Sequence, residues 1–396
     1  MDFDPPEAVR PLLERIEKFV ADVVIPAEAT VLTQGFAASA AVLDDLRAQC
    51  KAAKLWGPQL PTSLGGLGLG LVEHGLVSER LGRSPLGHYT FGCQAPDAGN
   101  LEILHKYGTA EQKDRWLEPL AHGRIRSCFS MTEPENPGSN PTLLSCRAVR
   151  TGDEYVINGH KWFTSSADGA RFAIVMAVTD PDASPHSRAS MIIVPTDTKG
   201  FELARNIPIM GDPGSGYASH GEIYYRDVHV PVTNRLGPEG AGFLIAQERL
   251  GPGRIHHCMR WIGVCERVFD TMCRHITRRK IAEDKTLASR QIAQAWVAEA
   301  RAEIEAARLM VLSCAWTIEK KGFSAARDQV SLIKFYVADV MLRLVDRAIQ
   351  LHGALGITSD TILAYYYVHE RGARIYDGPD EVHKMSVAKR ILARYA

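Results

Sequence analysis

The chain has 396 residues, of which 45% are hydrophobic and 23% charged, and at about 150 residues per domain this predicts two or three domains sharing a substantial buried core. Its 46 basic side chains balance 46 acidic ones, so no global field draws it to nucleic acid or an anionic membrane, and any anionic ligand must be held locally. The longest clean apolar run, Phe172 to Val178, is far short of the roughly 20 residues of a membrane span.

The opening MDFDPPEAVR is acidic and proline-rich, with neither signal-peptide nor transit-peptide character. None of the eight cysteines forms a Cys-x-x-Cys pair. Cys258, Cys265 and Cys273 recur at helix-face spacing, as small buried residues do. Neither disulfides nor a metal site is therefore expected, and the expected compartment is a reducing cytoplasm.

From residue 5 to about 125 the apolar spacing is helical, as in Leu12, Ile16, Phe19 and Val23, with breaks at Pro58, Pro61 and the following glycines. From 126 to 235 the texture becomes short β-rich runs: Tyr155 to Ile157, Phe172 to Val178, Met191 to Val194 and Glu222 to Val230. Gly152-Asp153 and Asn158-Gly159 read as turns between them. Past Gly242 long helical stripes return, marked by Ile255 to Ile276, Ile292 to Trp316, and Leu332, Tyr336, Val340 and Leu344. The predicted class is α+β: an N-terminal helical domain (1–125), a small middle β domain (126–235) and a C-terminal helical bundle (236–396).

The run SLGGLGLG, Ser63 to Gly70, contains Gly-x-Gly elements, but no strand precedes it, so it reads as a helix-breaking loop rather than a dinucleotide fingerprint. The patterns of zinc proteases, serine hydrolases and Walker-type nucleotide binders are missing. His256 and His257 are neighbours that point to different helix faces, so satisfied or solvated histidines are expected there rather than a metal pair.

More informative are CFSMTEPENPGSNPT (128–142), INGHKWFTSSADGA (157–170), the glycine-rich turn near Leu236, QLHGALGI (350–357) and RIYDGPDEVHKMSVAK (374–389). In this order, and spanning the chain nearly end to end, they resemble the acyl-CoA dehydrogenase family. The Asp-Gly-Pro-Asp-Glu-Val-His ending is similar to the subgroup of mammalian members ten and eleven and their bacterial relatives, of which this sequence carries the dehydrogenase part and not the kinase-like domain.

The resemblance implies FAD as cofactor. A flavin ring needs an aromatic wall and short donors along its polar edge. Phe129, Met131 and Thr132 would line it, Trp162 and Phe163 would cover a face, and Thr164 and Ser165 would bond near N5. Gln350, Leu351, His352, Gly353 and Ala354 would meet the adenosine-diphosphate half of a neighbouring subunit's FAD, so a homodimer or homotetramer is implied. The cation of that composite site would be Arg279 or Lys280, with Gln291 downstream; the family's usual Phe is replaced by Glu283 or its neighbours. Pro379, Asp380 and Glu381 complete the expected cofactor contacts. Ser139, Arg254 and Gly378 would serve the thioester or its CoA.

The family removes the α-proton of an acyl-CoA with a carboxylate while the β-hydride leaves for the flavin, and most members carry Glu where this chain has Asp377. One methylene fewer withdraws the carboxylate by about 1.5 Å, and misplacement by about 1 Å can cost roughly a hundredfold in rate. An aspartate in water is a weak base for such a proton, so the chemistry calls for desolvation. Some relatives place the base on the helix near Arg254, but Gly251-Pro252-Gly253 offers no carboxylate, which leaves Glu248 in reserve.

The expected activity is dehydrogenation of a fatty or branched acyl-CoA to the trans-2-enoyl-CoA, a step of fatty-acid β-oxidation, with electrons passed to an electron-transfer flavoprotein. Rival readings are a flavoenzyme like nitroalkane oxidase or acyl-CoA oxidase, elimination on a 4-hydroxylated or phosphorylated acyl-CoA, and a retired paralogue that binds FAD or CoA without turnover. Chain length and branching depend on pocket shape, which periodicity does not reveal.

Overall fold

A computed structural model describes residues 5–396. Its contacts gather the chain into two compact units, one built from residues 5–28, 69–88 and 253–396, the other from 29–68 and 89–252. Helices of the first third enter both units.

The first unit is all helical. Its core comes from residues 253–278 of the helix Gly242–Arg278, from Gln291–Lys321 and from Arg327–His352. The stripe read from sequence is the buried one: Ile255, Met259, Ile262, Cys265, Met272 and Ile276 all face the core. Cys258, Cys265 and Cys314 are buried thiols in the same cluster and Cys273 is half-buried, small apolar fillers as their spacing implied. The helix Leu71–Leu81 is tied in by Arg308, whose Nε donates to Glu79 at 2.9 Å and which also pairs with Glu266. Two shorter helices, Ile362–Glu370 and Asp380–Leu392, flank the segment that carries Asp377.

The second unit holds one eight-stranded mixed sheet. Its strands are β1 (Ser127–Ser130), β2 (Arg147–Thr151), β3 (Glu154–Ser165), β4 (Phe172–Val178), β5 (Ala189–Pro195), β6 (Phe201–Asn206), β7 (His220–Pro231) and β8 (Arg235–Leu236), in the order β6-β7-β3-β2-β4-β5-β8, with β1 parallel to β4. Every residue of β4 is buried because both its faces are covered: Phe172, Ile174 and Met176 pack with Leu101, Leu104 and Trp116, while Ala173, Val175 and Ala177 pack with Tyr155 and Tyr225. That is why this strand reads as a continuous apolar run instead of an alternation.

The Asn158-Gly159 turn is a correction. Both residues lie inside β3, at a bulge against β7, where Asn158 and Asp227 exchange two hydrogen bonds of 2.9 Å. A Cβ on Gly159 would sit 2.5 Å from Cys146, so the glycine serves close backbone approach, not chain reversal. Ser63–Gly70 is a loop as expected, opening with a short turn of helix over Thr62–Leu64 and leading into Leu71–Leu81.

Candidate active site

In the helical unit, Asp377 has φ of +53° and Gly378 +102°, which turns the chain sharply into the helix Asp380–Leu392. Aspartate is among the few side chains that tolerate the left-handed region. Gly378 is doubly required, since a Cβ there would stand 2.8 Å from His383 Nε2.

The loop is held by its backbone oxygens. Arg254 Nε donates to the carbonyl of Asp377 at 2.9 Å, and His383 Nε2 donates to the same oxygen at 3.2 Å. Lys334, wholly buried, donates from Nζ to the carbonyls of Ala373 at 2.6 Å and Gly378 at 3.4 Å. Its ammonium also lies 5.4 Å from the ring centre of Trp261 and 5.5 Å from that of Tyr376. Burial pulls the Lys334 ammonium below its ordinary pKa, against the pull of neighbouring acidic groups that include Asp377 and Asp380. Burial likewise drops His383 to about 4, with Arg254 adding to the effect.

The carboxylate itself meets different company. Asp377 Oδ2 lies 3.4 Å from His257 Nε2 and 3.3 Å from the point where a Cβ on Gly253 would begin. His257 is neutral, its pKa lowered to about 4 by burial despite the nearby Asp377. Beneath Tyr376, Arg260 grips Glu370 through two parallel contacts and reaches the Tyr376 hydroxyl at 3.4 Å. Asp380 is buried at the start of its helix and accepts from Arg374 Nε at 2.6 Å. Glu381 is exposed and Pro379 half-buried.

Of the expected residues, the structure brings Asp377, Gly378 and Arg254 together. It adds His257, His383 and Lys334. Lys334 was legible in principle: it falls between Val330, Val337 and Met341 on a buried stripe, where a lysine needs a partner. His256, by contrast, turns to His74, ring centres 5.1 Å apart. The reserve carboxylate Glu248 is in the sheet unit. Burial raises its pKa, but bonds from Lys106, at 2.6 Å, and from Tyr107 outweigh this and hold it below the ordinary range. Such a carboxylate is committed to its partners.

In the sheet unit, β1 and β3 position the residues expected at a flavin. Thr132 Oγ1 donates to the carbonyl of Trp162 at 2.8 Å, and Trp162 N donates back to Thr132 O at 3.1 Å. Phe163, with φ of +49° at a bulge in β3, is 42% exposed, and its ring makes an edge contact with Trp162 at 4.9 Å. Thr164 is buried against Ser130 at 3.3 Å, while Ser165 pairs with His220 at 2.8 Å. Phe129 is buried and carries the Arg249 guanidinium 3.9 Å above its ring.

Met131 is half-buried and Ser139 exposed on the following loop. That loop is anchored by a fully buried ion pair: Lys161 Nζ donates to Glu133 and to Met131 O, both at 2.8 Å, while Glu133 accepts from Ser145 and Cys146 backbone N–H groups. An exposed aromatic on a strained strand, beside a second aromatic and a hydroxyl-bearing loop, fits a flat ring with a polar edge.

Back in the helical unit, Arg279, Lys280 and Gln291 are exposed, and Lys280 pairs with Thr286 through a backbone bridge. Leu351 and His352 are buried; Gln350, Gly353 and Ala354 are exposed, and Gly353, at φ of +63°, leaves open space where a side chain would be. His275 and His352 stack with centroids 3.9 Å apart, which brings the ends of their two helices together.

Family models for the N-terminal, middle and C-terminal domains of acyl-CoA dehydrogenases match residues 6–124, 128–228 and 240–392. The chain belongs to the acyl-CoA dehydrogenase family. It is an oxidoreductase of that type, in a family of FAD-binding flavoproteins. It is 42% identical over 389 residues to the probable acyl-CoA dehydrogenase FadE2 of Mycobacterium tuberculosis, covering 96% of this chain and 94% of that one. It is 40% identical to mouse acyl-CoA dehydrogenase family member 11 over 96% of this chain but only 49% of the relative, so it spans about half of that protein. A solved structure of a putative acyl-CoA dehydrogenase from Mycobacterium abscessus is 39% identical and superposes with a TM-score of 0.93 over the whole of both chains. Among the described residues no helix is long and apolar enough to cross a membrane.

Proposed function

We propose that the protein dehydrogenates a fatty or branched acyl-CoA to the trans-2-enoyl-CoA, with Asp377 taking the α-proton. One observation carries the assignment. Asp377 Oδ2 reaches to 3.3 Å from where a side chain on Gly253 would start, so the loop position and the helix position that bear the base in different relatives converge on one point, and here only the loop supplies a carboxylate. The shorter side chain is served by the left-handed turn at Asp377, which Arg254, His383 and Lys334 fix through the backbone.

FAD bound here would supply the acceptor for the β-hydride. Phe163, Trp162 and the Thr132 loop would hold its ring, with Phe129, Met131, Thr164 and Ser165 around them. Gln350 to Ala354, with Arg279 or Lys280 and Gln291, would hold the adenosine half of a second copy's FAD, which makes the working enzyme a homo-oligomer. Pro379, Asp380 and Glu381 stay in the reading as the flank of the base loop. Arg254, with one nitrogen on the loop, would turn the rest of its guanidinium toward CoA, and Ser139 would meet the thioester arm. An electron-transfer flavoprotein is the proposed acceptor, and fatty-acid β-oxidation in the cytoplasm the proposed setting.

The test is the visible spectrum of the purified protein before and after anaerobic addition of acyl-CoAs differing in length, branching and 4-hydroxylation. Bleaching by one of them in the native protein, absent in Asp377→Asn, supports the reading. A flavin that none bleaches, or peroxide released in air with a nitroalkane or an acyl-CoA, overturns it.

A further inference from the structure

The missing methylene of Asp377 leaves a physical problem, because a base withdrawn from its substrate must be held more tightly, not less. The cations around the loop do not hold its carboxylate. Arg254 and Lys334 direct their N–H groups to the backbone oxygens of Asp377, Ala373 and Gly378. Gly253 bounds Oδ2 on one side, an added Cβ there standing 3.3 Å away, and has no side chain to hold it. What remains is His257, with Nε2 3.4 Å from Oδ2.

That ring is itself fixed. It stacks on Trp261 at 5.8 Å with planes 20° apart and lies 4.8 Å from Tyr376, and Trp261 is wholly buried. Arg260, paired with Glu370, braces the Tyr376 hydroxyl from behind. A neutral imidazole here can donate one hydrogen bond without adding a positive charge that would weaken the base. The distance is long for a hydrogen bond, as catalytic contacts often are before substrate closes on them.

We propose that His257 is the positioning residue for the catalytic base, its Nε2–H aiming the Asp377 carboxylate and so compensating for the shorter side chain. This rests on the reading of Asp377 as the base. No covalent step is added. The α-proton goes to Asp377, and His257 keeps its own.

The test compares His257→Phe, which keeps the ring and its stacking, with His257→Gln, whose amide reaches about as far as Nε2, and His257→Asn, which stops short. Octanoyl-CoA serves as probe, replaced if inert by whichever acyl-CoA bleaches the native flavin. In the Phe variant kcat should fall about 10- to 100-fold with KM little changed and flavin content intact, and Gln should recover most of the loss.

A second readout isolates the proton step. With the flavin reduced beforehand, hydride cannot leave, and exchange of the α-hydrogens with deuterated water, followed by mass spectrometry, should slow in the Phe variant and recover with Gln. Native-like exchange and kcat in His257→Phe, or a loss that Gln does not repair, overturns the proposal. If His257→Phe does not fold, Gln against Asn decides, and equal loss in both overturns it. Asp377→Asn separates the two claims: exchange surviving there sinks the base and this inference with it, whereas exchange lost there but untouched in His257→Phe sinks the inference alone.

Discussion

The ammonium of Lys334 donates to the carbonyl of Ala373 at 2.6 Å from a wholly buried position beneath the Asp377 loop. A buried cation whose resolved hydrogen bonds go to main-chain oxygens is costly, and the return is local order in the segment that carries the proposed base. Lys334→Met removes charge and donors together. Stranding two carbonyls costs about 1–3 kcal/mol each, set against the desolvation that is no longer needed, so the melting temperature should shift by only a few degrees. Activity should fall tenfold or more. A variant with native kcat would show that the loop holds itself.

Gly378 carries two independent constraints, its φ of +102° and the 2.8 Å separation between an added Cβ and His383 Nε2. Gly378→Ala should cost about 1–3 kcal/mol for the backbone conformation alone, and the clash should push His383 off the Asp377 carbonyl. Denaturant titration should show a lower midpoint at an unchanged slope, with a loss of turnover larger than the loss of stability explains. An alanine variant of native stability would mean that the turn has another accessible conformation.

The Lys161–Glu133 pair is fully enclosed, and it fastens the loop bearing Thr132 and Ser139 to the strand bearing Phe163. Removing one member leaves a buried charge without its partner, which typically costs about 3–5 kcal/mol. Lys161→Met is therefore expected to lower the unfolding midpoint markedly and to shed FAD on gel filtration, while Lys161→Met with Glu133→Gln should recover part of the stability. Flavin retained at native stoichiometry in the single variant would count against the pair as the anchor of this loop.

Acid should destabilise the helical unit from about pH 6.5 downward. Burial drops His74 to about 3 and His256, His257 and His383 to about 4, and holds His88 well below its usual value. Unfolded histidines titrate near 6.5, so as pH falls from there toward 4 the unfolded chain binds protons that the folded one refuses. Stability is complete above about 6.5 and declines by roughly 1.4 kcal/mol per pH unit for each such histidine. Melting temperatures at pH 7 and pH 5 should differ strongly. His74→Leu, which removes a ring whose buried Nδ1 has no partner, should narrow the gap, and an unchanged gap would show that this site does not contribute.

The long stripes and the strands β4 and β5 were legible because their burial is one- or two-sided over many residues. Strands β1, β2 and β6 were not. SCFS is only four residues long, while RAVRT and FELARN are largely exposed and owe their pairing to neighbours rather than to apolar content. Asn158-Gly159 carries the strongest short hairpin signal there is, yet the chain runs straight on, because Asp227 clasps Asn158 across a bulge. At the candidate site, residues within recognisable motifs, such as Asp377, could be named from the sequence, and the side chains that touch them, such as His257 and Lys334, could not. His257 could be assigned to a helix face, but which loop that face meets is decided 120 residues away.

The division of the chain into interrupted segments bears on how it is made. The helical unit needs residues 5–28 and 69–88 to meet a bundle that begins only at Gly253, so on the ribosome those first helices must wait while the whole stretch from Tyr89 to Pro252 is synthesised. At about 5–20 residues per second that delay is on the order of ten seconds. During it the apolar side chains of Leu76, Val77 and Leu81, which end up buried, have no core to enter. Newborn chains should therefore depend on a holding chaperone far more than refolded ones, and the most aggregation-prone species should be the nascent chain that already has its sheet and lacks its bundle.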